Sequence, residues 1–77
     1  MLKQIIEFIV KELVENPSLV RIEQNQDDGK IVFTIYTDEK DLGKVIGKGG
    51  QTIRSIRSVA TTLNEQEGCQ IVVDVSK

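Results

Sequence analysis

The apolar positions of this chain change period several times, and each change marks an element. Leu2, Ile5, Ile6, Ile9, Val10 and Leu13 recur at helical spacing, which predicts an amphipathic helix from about Leu2 to Glu15, ended by Asn16-Pro17. Phe8 falls off that stripe and is expected at the surface, where it marks a candidate partner contact. From Leu19 to Gln24 the period drops to two, with Val20 and Ile22 alternating against Arg21 and Glu23. Asp27-Asp28-Gly29 then supplies a turn, and Lys30 to Thr37 returns as a second strand with Ile31, Phe33 and Ile35 on one face.

Thr37 or Asp38 is placed to cap a short helix from about Glu39 to Ile46, with Asp41 near its positive end and Gly47 stopping it. Ile53, Ile56, Ala60 and Leu63 make the apolar stripe of a longer helix from about Gln51 to Glu65, with Val59 at its margin. Gly68 breaks the chain before a last strand, Cys69 to Val75, in which Ile71, Val73 and Val75 share a face. The order is α-β-β-α-α-β. The connection from the second strand through two helices to the third is long enough for parallel pairing. An α+β domain follows, filling residues 1–77, with a three-stranded mixed sheet and helices packed on one side.

Composition narrows the chemistry. With 39% hydrophobic and 29% charged residues the chain sits among ordinary soluble domains, and no stretch is long and apolar enough to cross a bilayer. Glu7, Lys11 and Glu12 interrupt the first apolar stretch and no small-residue cleavage site follows it, so a cytoplasmic location is expected. There is no histidine and one cysteine, Cys69, expected as a small buried thiol. Metal centres, cofactors and nucleophilic catalysis have almost no side chains to build on, so no enzyme is expected.

The net charge of −2 hides an asymmetry. Between Gly43 and Ser58 stand Lys44, Lys48, Arg54 and Arg57 with no acidic residue, a local +4 that leaves −6 for the rest. Association follows the potential at the contact surface more than the total. In the middle of this basic segment lies Gly47-Lys48-Gly49-Gly50. Glycines let a backbone approach another chain closely, and the amides opening the following helix point outward with partial positive charge, chemistry that suits a sugar-phosphate strand. A nucleotide-binding P-loop is excluded because the glycine spacing from Gly43 is one residue short and Gly49 stands where Ser or Thr should meet magnesium. Aromatic stacking is disfavoured too, since only Phe8, Phe33 and Tyr36 are aromatic.

The segment Val45-Ile46-Gly47-Lys48-Gly49-Gly50-Gln51-Thr52-Ile53, between two helices and after a hairpin, resembles a KH domain of the type II arrangement, and the resemblance spans the whole chain. It is similar to the small bacterial single-KH proteins of the KhpA family. The resemblance implies a single-stranded RNA binder of RNA-chaperone type, acting post-transcriptionally, whose GxxG backbone clamps about four nucleotides. It also implies a homodimer or a heterodimer with a KhpB-type RNA-binding protein, and a link to cell shape and cell-wall biogenesis.

Residue by residue, Gly47 and Gly50 permit the close approach, Gly49 removes obstruction, and Lys48 adds charge at the tip. Lys44 and Arg54 flank the phosphate track, Arg57 is a further candidate, and Ile46 and Ile53 form an apolar floor. Phe33 belongs to the core. Val59, at the edge of a buried stripe, is expected with Phe8 in a partner surface. Two alternatives stand beside this expectation. One is a dimerisation module whose partner supplies most of the RNA binding. The other is a single-stranded DNA binder, since both polymers share the phosphates.

Overall fold

A computed structural model describes residues 1–66 and 68–76. Helix α1 (Leu2–Leu13) leads through a 3₁₀ turn at Pro17–Leu19 into strands β1 (Arg21–Asp27) and β2 (Lys30–Tyr36). A second 3₁₀ turn, Glu39–Asp41, opens helix α2 (Leu42–Ile46), and a third, Lys48–Gly50, joins it to helix α3 (Gln51–Leu63). Strand β3 (Gln70–Ser76) closes the domain. The strands lie in the order β1-β2-β3, with β1 antiparallel and β3 parallel to the central β2. Both the element order and the mixed sheet match the expectation from periodicity.

The hairpin register, Asp27↔Lys30 to Arg21↔Tyr36, puts Ile22 opposite Ile35, and the parallel register puts Phe33 opposite Val73. Alternation then sends Ile22, Ile31, Phe33, Ile35, Ile71 and Val73 to one face, where Ile6 and Val10 of α1, Val45 of α2, and Ile56 and Ala60 of α3 cover them. Phe33 is 1% exposed at the centre. Each such side chain taken from water contributes roughly 1.5–3 kcal/mol before conformational entropy is subtracted.

The other face of the sheet is polar. Arg21 lies 4.4 Å above the Tyr36 ring, and the Tyr36 hydroxyl donates to Glu23 Oε1 at 3.0 Å. Tyr36 is thereby covered, consistent with the exclusion of a stacking platform. Among the described residues no helix is long and apolar enough to cross a membrane.

Several boundaries differ from the sequence pattern, and tertiary contacts explain them. Helix α1 stops at Leu13, not Glu15, because the N–H groups of Glu15 and Asn16 donate to Asp41 Oδ1 and Oδ2 at 3.1 Å each instead of to the helix. The residues read as one helix over 39–46 divide into a 3₁₀ turn and a short α-helix, with Asp38 accepting from the Lys40 N–H. Strand β1 begins later and runs further than its apolar alternation, because Leu19 sits in a 3₁₀ turn and a tight Asp28-Gly29 turn carries pairing to the end of the hairpin. Helix α3 ends at Leu63, two residues early, where Asn64 turns extended and its side-chain nitrogen donates to the carbonyls of Gln66 and Cys69. Cys69 is half-buried, not buried, and precedes β3 with its Sγ 3.6 Å from Gln66 Oε1.

Candidate nucleic-acid interface

The loop between α2 and α3 is set by its glycines. Gly47 has φ 77° and ψ 168°, a conformation open essentially to glycine alone, and a Cβ there would come within 2.2 Å of Thr52 Oγ1 and 2.8 Å of the Thr52 nitrogen. Thr52 therefore fills the place that a side chain at position 47 would take. Gly49 (φ 63°) and Gly50 (φ 76°) are left-handed as well, but the space beside Gly49 is open. Two different needs are met: Gly47 is required by strain and by contact, whereas Gly49 is favoured by its left-handed backbone alone.

Hydrogen bonding decides which amides are free. Gly47 N–H donates to the Gly43 carbonyl at 2.9 Å and Gly50 N–H to the Gly47 carbonyl at 3.1 Å. Gln51 N–H donates to the Lys48 carbonyl. The N–H groups of Lys48 and Gly49 have no acceptor among the described residues. Within the loop the donors available to a ligand are those of Lys48 and Gly49, while Gln51, the first amide of α3, is already engaged by the 3₁₀ turn.

The side chains expected around this loop divide into groups. Lys48 projects at the exposed tip. Arg54, one turn into α3, folds back so that Nη1 donates to the Gly49 carbonyl at 2.9 Å, passing 3.3 Å from where a Gly50 Cβ would lie. Ile46 is 39% exposed at the end of α2, while Ile53 is half-buried against the core, so the apolar floor is stepped. Lys44 differs from the rest: its Nζ pairs with Glu15 Oε1 at 2.8 Å and lies 3.9 Å from Asp41 Oδ1. Its charge is largely balanced within the protein.

Arg57 lies further along α3 and lines a groove of about 450 Å³ with Thr61, Cys69, Gln70, Ile71 and Val72, between the helix and the edge of β3. Val59, two residues on, points about 160° away on the helix. There it is 41% exposed and lines a shallow depression with Leu63, itself 46% exposed. Leu63 also borders the N-terminal turn of α1 through Leu2 and Ile5. The basic flank of α3 and its apolar flank thus face opposite ways. Phe8, 66% exposed, lies on α1. The sequence pattern missed Thr52, Thr61 and Gln70 as members of these surfaces, because their places depend on how α3 meets the loop and β3, and Leu63, expected in the buried stripe of α3, is exposed on its apolar flank instead. Among the described residues no group of three or more His, Cys, Asp or Glu side chains is placed to hold a metal ion.

The family model for the KhpA/KhpB KH domain matches residues 3–75, which takes in the loop, both flanking helices and the sheet up to Val75. The chain belongs to the KhpA/KhpB KH-domain family. Among curated proteins it is similar to the RNA-binding protein KhpA of Aquifex aeolicus, 35% identical over 96% of this chain and 94% of that one. It is 30% identical to the RNA-binding protein KhpA of Chlamydia pneumoniae over 96% and 95% of the two chains. For the RNA-binding protein KhpA of Clostridium perfringens the identity is 31% over 96% and 99%. No solved structure matches the chain.

Proposed function

We propose that this KH domain binds single-stranded RNA by receiving backbone phosphates on the Lys48 and Gly49 N–H groups. One observation carries the proposal: two main-chain donors without protein acceptors stand in a loop whose glycines are left-handed and whose exposed tip is basic. Further support comes from the name RNA-binding protein KhpA borne by the similar proteins. Lys48 and Arg54 supply charge beside the donors, Arg57 extends it along the groove, and Ile46 and Ile53 offer the bases an apolar surface. Lys44 contributes little, its charge being held by Glu15.

Backbone clamping without stacking gives modest affinity and loose sequence preference, the properties of a chaperone-like post-transcriptional binder in the cytoplasm. Pairing with a second copy or with a KhpB-type protein raises the effective concentration of sites. We assign that pairing to the flank of α3 bearing Val59, with Phe8 contributing from α1, because it leaves the basic flank open. The link to cell shape and cell-wall biogenesis rests on family membership.

The test is titration of the native chain and of Lys48→Asp with Gly49→Asp against short random single-stranded RNA and DNA, with mass measurement of the free protein. Contact with about three phosphates gives the native chain a slope of log affinity against log salt near −2, from roughly −0.7 per phosphate. The double substitution is expected to lower RNA affinity more than tenfold with the fold intact. Unchanged affinity rejects the loop as the site, and equal or tighter DNA binding makes DNA the ligand to consider. Val59→Glu is expected to shift any dimer toward monomer with RNA affinity per chain little changed. A normal dimer in that variant removes the assigned interface.

A further inference from the structure

The loop between α2 and α3 is rich in glycine, and among the described residues one side chain is bonded to its backbone. Three of its four residues are glycines with positive φ, and glycine loses more freedom on ordering than any other residue. Main-chain bonds close its ends, Gly47 to Gly43 and Gly50 to Gly47. The peptide between them that carries the Gly49 carbonyl is tied by Arg54 Nη1 at 2.9 Å, and among the described residues no other side chain donates to or accepts from the loop backbone. Arg54 itself makes no ion pair with an acidic side chain among the described residues.

We infer that Arg54 is a positioning residue for the loop: one guanidinium nitrogen holds the Gly49 carbonyl, fixing the adjacent N–H donors before RNA arrives. The inference rests on the loop being the phosphate site. A guanidinium suits both parts of this task, because its five N–H donors form a rigid fork. One nitrogen is taken by the carbonyl, and the remaining donors stay available for a phosphate. A flexible ammonium at the same position carries the charge without the planar fork, so lysine is not equivalent here. The order of the loop is thus set in the free protein, and less ordering remains to oppose binding.

The experiment compares native, Arg54→Lys and Arg54→Ala chains by backbone ¹⁵N relaxation without RNA, then by affinity and salt slope for an eight-nucleotide oligouridylate. In the free protein both variants are expected to show lower order parameters at Gly49 and Gly50 than the native chain, with α3 unchanged. Arg54→Lys, despite its retained charge, is expected to lose affinity several-fold, and Arg54→Ala about tenfold. Native order parameters in both variants overturn the inference, as does lysine binding like arginine. The Lys48 and Gly49 double substitution is run alongside. If that leaves affinity intact, the phosphate site is elsewhere and the clamp itself is rejected, whereas the relaxation data on free protein judge the Arg54 tie independently.

Discussion

The hairpin turn at Asp28-Gly29 and the loop at Gly47–Gly50 both use positive-φ backbone, with φ of 47° and 81° in the first and 77°, 63° and 76° at the three glycines of the second, of which Gly47 alone combines it with ψ 168°. Around the hairpin turn, ladder pairing continues to Asp27↔Lys30, and the Gly29 carbonyl accepts from Gln70 N–H at 2.9 Å, joining the turn to the start of β3. Its flanking residues include Asp27 and Asp28, and it serves register. The Gly47–Gly50 loop leaves two N–H groups without acceptors, surrounded by Lys48 and Arg54. Glycine supplies the bend in both places. Among the described residues the N–H groups of Asp28 and Gly29 also lack acceptors, so the sign of nearby charge is what sets the two bends apart as anion sites.

Three substitutions probe that contrast. Gly47→Ala combines glycine-only backbone with collision against Thr52, so it is expected to cost about 3 kcal/mol in urea unfolding and to abolish RNA binding. Stability within about 1 kcal/mol of the native chain makes the two bends equivalent and breaks the comparison. Gly29→Ala meets only the Gly68 carbonyl at an ordinary 3.9 Å and pays left-handed strain alone, about 1–2 kcal/mol by the same measurement, with native RNA affinity at temperatures where it stays folded. A loss of affinity there gives the hairpin a part in binding. The smallest effect is expected for Lys44→Ala, because Glu15 already balances the charge: RNA affinity within about twofold of native. A larger fall frees Lys44 for the phosphate track and restores it to the site.

Much of this was open to reading from the chain because periodicity is a local property. The alternation of Ile31, Phe33 and Ile35 and the helical recurrence of Ile53, Ile56, Ala60 and Leu63 report burial directly, and the structure buries all of these but Ile53, half-buried, and Leu63, exposed. The glycines and basic side chains of the loop lie within a few residues of one another, so their spacing was enough to suggest the proposed site. What escaped the sequence depends on contacts across the chain. Asp41 was placed by its neighbours near a helix end, yet its partners Glu15 and Asn16 lie 26 and 25 residues away. Lys44 counts as a free cation in any tally of charge, and only the fold brings Glu15 to it. The arginine tie to Gly49 spans five residues, close enough in sequence but dependent on a rotamer that no pattern encodes.

Asp41 is the one buried charged side chain among the described residues, and both of its oxygens are committed to main-chain donors at the far end of α1. An acidic side chain so enclosed is tolerated while those donors, and Lys44 Nζ at 3.9 Å from Oδ1, remain. The accuracy of the loop is consequently borrowed from the opening third of the polypeptide. A fragment over 38–65 retains Gly47, Gly49, Gly50, Lys44, Lys48, Arg54 and Arg57 yet lacks the anchor that orients the first of its two helices.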